Sequence, residues 1–254
     1  IPTTLGDTRN LRVIGLHQNK LRGSIPTEIG LLQNLEEINF GSNRLVGPLP
    51  SVLGNVATLR QIAVGFNPGI TGILPTEWGQ LERLESLAIS LIRLETQTIP
   101  EAYWGLTKLT QLSFNEIDIS GTLPSMIGNL SNLHFLRIQV SQLTGSIPTQ
   151  VGNLTSLKGI GLSENLLNGM IPSELGECAL LESIELETNR LSGNLPSELG
   201  QLIHLRTMDI RSNKLSGTVP PEICILPENG TLFQFRADFC DIADSTYCLE
   251  RCSQ

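Results

Sequence analysis

Aromatic residues make up only 4% of this 254-residue chain although 40% of it is hydrophobic, so any core it builds is aliphatic. Cations are scarce too: 17 Lys and Arg stand against 25 Asp and Glu, a net charge of −8. They are scattered singly, which excludes the clustered basic surface that a nucleic-acid binder needs to meet phosphates. No apolar run approaches the roughly 20 residues of a membrane-spanning helix, so no membrane span is expected in the chain. Catalytic signatures are missing as well. There is no G-x-S-x-G elbow, no Gly-rich phosphate loop and no metal-spaced cluster, and His17, His134 and His204 are dispersed. Nothing here proposes an enzyme, a metal or a cofactor.

Repetition, by contrast, is abundant. Prolines recur at Pro2, Pro26, Pro50, Pro75, Pro100, Pro124, Pro148, Pro172, Pro196 and Pro220, at intervals of 24 residues except two of 25 ending at Pro75 and Pro100. The unit reads L-x-x-L-x-L-x-x-N-x-L-x-G-x-I-P-x-x-L-G-x-L-x-x. Nine copies of its leading segment begin at Leu11, Leu35, Leu59, Leu84, Leu109, Leu133, Leu157, Leu181 and Leu205. A Leu-rich period in this range marks a leucine-rich solenoid. The expected fold is an α/β solenoid of about nine to ten 24-residue repeats, with a parallel sheet on the concave face and short 3-10 or helical turns on the convex face.

Each part of the unit has a physical task. L-x-L alternation makes a short strand with Leu and Ile inward and the x residues outward. The Asn at the ninth place (Asn19, Asn43, Asn67, Asn165, Asn189, Asn213) both donates and accepts, and so satisfies backbone groups left inside the turn. The Gly of G-x-I-P is expected to allow a backbone approach that a side chain would block. The Pro ends the extended piece, and L-G-x-L makes a turn on the back. No repeat buries its apolar face alone, so stability lies in stacking.

The pattern breaks after Pro220. Repeats are expected over 1–223, with the N-terminal cap missing, and a cysteine-rich cap over 224–254. Cys224, Cys240, Cys248 and Cys252 suggest two disulfides with three possible pairings. A zinc site is the alternative, but no C-x-x-C pair or His accompanies them. Cys178, inside a repeat, reads as a small buried filler. Disulfides imply an oxidising compartment, and three sequons at Asn129, Asn153 and Asn229 agree with N-linked glycans on a secreted chain.

The stretches "LTGSIPTQVGNLTSL" (Leu143 to Leu157) and "LSGNLPSELGQLIHL" (Leu191 to Leu205) resemble the plant-type extracellular leucine-rich repeat. That repeat is known from polygalacturonase-inhibiting proteins and receptor-kinase ectodomains. The resemblance implies a curved solenoid, outside the cell, whose inner strand face binds a peptide, a protein or a cell-wall enzyme.

Counting from the first Leu, the third, fifth, seventh and eighth places are expected to face outward. The fifth places run Gly15, Asn39, Ala63, Ala88, Ser113, Arg137, Gly161, Glu185 and Asp209, a small neutral floor with charge toward the end. Glu185 and Asp209 on adjacent copies should sit about 5 Å apart. Such a pair can do acid–base work or hold a cation, but Arg211 is expected beside Glu187 and open strand faces carry solvated charge. Three of the central eighth places are apolar: Phe66, Leu91 and Val140. Phe135 adds an outward aromatic beside Arg137. An apolar strip with an Arg resembles the core of a protein-binding site.

The same central copies are misspelled. Ile92, Ile117 and Ser141 replace the turn Asn, and Gln97 displaces a Gly. Buried Ile is expected to close the turn by packing, with bulging loops. The leading functional reading is a secreted or cell-surface module binding a protein or peptide ligand through the concave face. A structural glycoprotein self-associating through solenoid ends is the alternative. An ice-binding protein or a cell-wall enzyme inhibitor ranks lower.

Overall fold

Each Pro of the G-x-I-P segment ends one piece of chain and starts the next. Its ring fixes φ near −65°, and at Pro26 and Pro196 the pair of angles is −70°, 141° and −66°, 132°. The Pro carbonyl then accepts the first bond of the following turn, as from the Ile29 N–H to Pro26 at 3.2 Å. A five-residue 3-10 turn results in each case, for example Thr27–Leu31, Thr76–Gln80 and Ser173–Glu177. Pro220 instead opens a single α turn, Pro221–Cys224.

The computed structural model describes residues 1–226, 232 and 234–238. The chain divides into two compact units, Ile1–Ser120 and Gly121–Gln254. This division falls inside the repeat array. The expected boundary between repeats and cap, at residues 223 and 224, is one of sequence pattern, and most of the cap lies outside the described residues.

In the first unit, strands Val13–Gly15, Glu37–Asn39, Gln61–Ala63, Ser86–Ser90 and Gln111–Asn115 pair in parallel, place for place. Ile14, Ile38, Ile62, Leu87 and Leu112 stand in one inward row and all are buried. On the turn side Trp78 and Tyr103 fill the core, and each satisfies its polar end: the indole N–H reaches the Pro50 carbonyl at 3.1 Å and the phenol reaches Pro75 at 2.8 Å. Burial, reinforced by Glu77, raises the Tyr103 phenol well above the usual tyrosine range.

The second unit repeats the plan with Phe135–Gln139, Gly159–Gly161, Ser183–Glu185 and Thr207–Asp209. A further strand, Gln234–Arg236, pairs in register with Thr207–Asp209 and extends the sheet into the cap. Cys178 is free and buried, donates to the Val151 carbonyl at 3.3 Å, and its thiol is pushed up to about 11 by burial and by Glu177. Cys224 is disulfide-bonded. Cys240, Cys248 and Cys252 lie outside the described residues.

The turn amide works as its chemistry requires. Asn165 donates to the carbonyls of Ile138 (2.7 Å), Leu162 (3.1 Å) and Ser163 (3.1 Å), and accepts from the Leu143 N–H (2.9 Å). It therefore ties its own turn to the repeat before it. Asn43, Asn67, Asn189 and Asn213 make the same set. Where the amide is missing, Ile92 and Ile117 are buried, as packing demands. Those copies and the Ser141 copy carry strands of five residues, whereas the other described strands of this face have three. The loop after Ile92, where a bulge is expected, is tied to the previous repeat. Arg93 and Glu95 donate to the Ile70 and Gly72 carbonyls at 3.0 and 2.8 Å, and the Gln97 side chain accepts from Leu74 N–H at 2.8 Å.

The Gly of the G-x-I-P segment supplies a left-handed backbone, φ +81° at Gly23, where the space beside it is open; at Gly145 and Gly217 a Cβ would also crowd the previous repeat, 2.8 Å from Thr122 Cγ2 and 2.6 Å from Asn194 Oδ1. The Gly of L-G-x-L faces neighbouring backbone as well. A Cβ on Gly176 would stand 2.5 Å from the Glu198 carbonyl oxygen of the next turn.

Candidate functional site

In the first unit the outward floor is as small as the sequence implies: Asn39, Ala63 and Ala88 are half-buried and Ser113 is buried. The eighth place, however, is not a strand position. All nine copies hold it in the left-handed region, from φ 51° at Leu91 to 58° at Phe66 and Thr188. The chain turns there, and the side chain leaves the sheet sideways. Phe66 is 54% exposed, Leu91 is half-buried, and the Phe66 N–H bonds the Ser90 carbonyl at 2.8 Å, so the two occupy successive turns.

The second unit gathers the other predicted residues on one row of strands. The Arg137 guanidinium lies over the Phe135 ring, 4.7 Å from its centroid, a contact worth about 0.5–1 kcal/mol at an exposed site. Arg137 has no carboxylate within ion-pair distance among the described residues. Val140, at the turn beyond, is 44% exposed. The neighbouring strand is Gly159-Ile160-Gly161, whose outward places carry no side chain, and flanking residues close over it. Phe135 leans to within 3.1 Å of where a Gly159 Cβ would be. The Gln139 amide reaches over Gly161 to Glu185 Oε2 at 2.8 Å and to Ser163 Oγ at 2.9 Å. The floor here is roofed, not open.

Toward the cap, Glu185 and Asp209 are paired in register as the repeat spacing requires. They are not a vacant pair. Asp209 receives a two-pronged contact from Arg211, at 3.0 and 2.7 Å, and a longer one from Arg236 at 3.4 Å. Burial pushes its carboxyl upward, but the Arg211 and Arg236 bonds outweigh this and hold it below the usual carboxylate range. Arg211 stands near enough to Glu187 to feel its charge, as expected, while its fork meets both oxygens of Asp209, two residues earlier on the same face. Glu187 is left with a buried oxygen, Oε2, that no donor reaches. Burial, offset in part by its own backbone N–H and then reinforced by Asp209 and Glu185, raises its carboxyl above the usual glutamate range. Among the described residues no group of His, Cys, Asp and Glu is placed to hold a metal ion. Nor is any described helix long and apolar enough to cross a membrane.

Sequence reading missed the rim of this face. At the second place, charges of opposite sign pair between adjacent copies: Arg12 with Glu36 at 2.7 Å, Arg60 with Glu85 at 2.9 Å, and Arg206 with Glu182 at 3.6 Å. Comparing second places between copies would have found it. Asn129 and Asn153 are exposed at the ends of their 3-10 turns; Asn229 lies outside the described residues.

A leucine rich repeat model matches residues 34–56 and 204–226. Among solved structures, the Arabidopsis receptor kinase HAESA, in complex with the peptide hormone IDA and the co-receptor SERK1, is similar over 91% of this chain (TM-score 0.85, 30% identity). The plant peptide hormone receptor RGFR1, in complex with RGF2, is similar over 89% (TM-score 0.70, 31% identity). The chain spans only 38% and 43% of those two receptor chains. A plant ice-binding protein shares the fold, at 23% identity, with a TM-score of 0.78 over 97% of this chain and 79% of its own. No curated protein sequence matches significantly.

Proposed function

We propose that this leucine-rich repeat chain, built on the plant-type repeat of receptor ectodomains, is a non-enzymatic recognition module of the cell exterior that binds a protein or peptide. The binding surface assigned to it is the strand face of the second unit, around Phe135, Arg137 and Glu185. One observation carries the reading. Arg137 is held on the Phe135 ring with its N–H donors uncommitted to any described carboxylate, while Arg211 and Arg236 on the same face are spent on Asp209. A fixed, partly desolvated Arg beside an aromatic is the kind of anchor that dominates protein interfaces. The receptor complexes with peptide hormones support a ligand of that class.

The test uses the secreted chain as bait for short random peptides displayed on phage. Enriched peptides should lose at least about tenfold in affinity with Phe135→Ser or Arg137→Ala, a loss of one well-packed contact, while the melting temperature stays put. Unchanged affinity in both variants would reject this face as the site.

A further inference from the structure

The glycine strand raises a question that the ion pairs do not. Gly159 and Gly161 have ordinary negative φ, so no backbone conformation demands them. Glycine inside a strand weakens it and commonly marks a place where another backbone approaches closely. Here the space above Gly161 is taken by a carboxamide. The Gln139 Nε2 lies 3.0 Å from the point where a Gly161 Cβ would stand, and both of its hydrogens are used, on Glu185 Oε2 and on the buried Ser163 Oγ. The bond to Glu185 spans 46 residues, from one copy of the repeat to the second copy after it. The acceptor does not depend on Gln139 for its position, because Ser183 Oγ holds the other Glu185 oxygen at 3.0 Å.

We infer that the Gln139 carboxamide is a resident stand-in for a ligand peptide group. It occupies, on Glu185 and Ser163 above the bare Gly161 backbone, the seat that a main-chain amide of an extended polypeptide takes on binding. A peptide group carries one N–H where the Gln139 carboxamide carries two: its N–H takes the oriented Glu185 oxygen, the Ser163 hydroxyl, able to donate as well as accept, turns to the ligand carbonyl, and the missing side chain at Gly161 leaves the depth that a peptide backbone needs. Gln139 then acts as an internal competitor: a ligand displaces it, and the receptor gains affinity only by what the new bonds exceed the old. This rests on the peptide-binding reading of the same face.

The experiment titrates the phage-enriched peptides against the wild-type chain and against Gln139→Ala and Gln139→Met, the second keeping the length without the donors. Removing a competitor held by two ordinary hydrogen bonds should tighten binding about tenfold. Glu185→Ala should weaken it by a similar factor, and Gly161→Ala should also weaken it by filling the seat. Unchanged or weaker binding in both Gln139 variants overturns the stand-in, even where Arg137→Ala still abolishes binding and the peptide-binding reading survives. Failure to enrich any peptide overturns both.

Discussion

Replacing Asn165 by Ala tests whether the turn amide is a structural clamp within the second unit. Asn165 is 5% exposed, and its NH2 group has two hydrogens for three carbonyls at 2.7, 3.1 and 3.1 Å, so at least one bond is shared. Ala removes two donors and the acceptor of the Leu143 N–H, roughly three hydrogen bonds at about 1 kcal/mol each. The Leu143 N–H is then left buried without a partner, which adds about 1–3 kcal/mol. The expected loss is about 4–6 kcal/mol, a large share of the roughly 5–15 kcal/mol that holds a domain together. Urea unfolding followed by far-ultraviolet circular dichroism should show the transition midpoint falling while the slope is kept. Asn165→Asp retains an acceptor but offers no donor and buries charge against carbonyls, so it should cost at least as much. An Ala variant within about 1 kcal/mol of the wild type would refute the accounting, because relaxation or water would then be meeting every group the amide serves.

Glu187→Gln should stabilise the chain at about pH 7, where the wild-type carboxylate is charged in a site that disfavours charge. Because the folded group titrates above its unfolded value, its penalty is present at neutral pH and vanishes below the usual glutamate range of about 4.3, so the melting-temperature gain should disappear by about pH 4. Asp209 has the opposite sign, stabilising above the usual carboxylate range and losing that contribution as pH falls. A gain that persists in acid would sink the assignment. Val140→Asn should raise stability by about 0.5–1 kcal/mol, since Asn tolerates the left-handed backbone that a β-branched residue resists; thermal melting that drops would show that Val140 packs more than its exposure suggests.

Much of this was readable from single residues. The L-x-L rows, the turn made after each Pro and the amide at the ninth place each follow from one local need, repeated often enough to leave no rival arrangement. The cap strand carries the same signal: Leu232 and Phe235 keep the L-x-x-L spacing of Leu205 and Met208. Three features were not legible, for one reason. The left-handed eighth place is imposed by stacking, and Gln, Ser, Phe and Leu carry no local preference for it. The strands lengthen in the three successive copies where Ile92, Ile117 and Ser141 replace the amide. The Gln139–Glu185 bridge needs a glycine, Gly161, between its ends to clear the way. Each is a property of relations between copies, and a repeat read one copy at a time does not contain it.

The eighth place also separates what the fold needs from what it permits. The backbone there is the same in nine copies, whether the ninth place is an amide, an aliphatic or a Ser, so the geometry belongs to the array and not to the side chain. Gly or Asn would meet it at least cost, since an ordinary L-residue in this region is disfavoured by roughly 1–2 kcal/mol. Neither stands there in any copy. For Gln18, Ser42, Glu116, Glu164 and Ser212 a polar side chain at a solvated turn needs no special account. Phe66 and Val140 do, because neither strain nor burial favours them: they sit in a costly conformation and project into solvent, 54% and 44% exposed. Residues that the fold resists and the core does not use point to a role outside the fold. We propose Phe66 and Val140 as contact residues alongside Phe135, each leaving the chain at a left-handed turn and not from a strand.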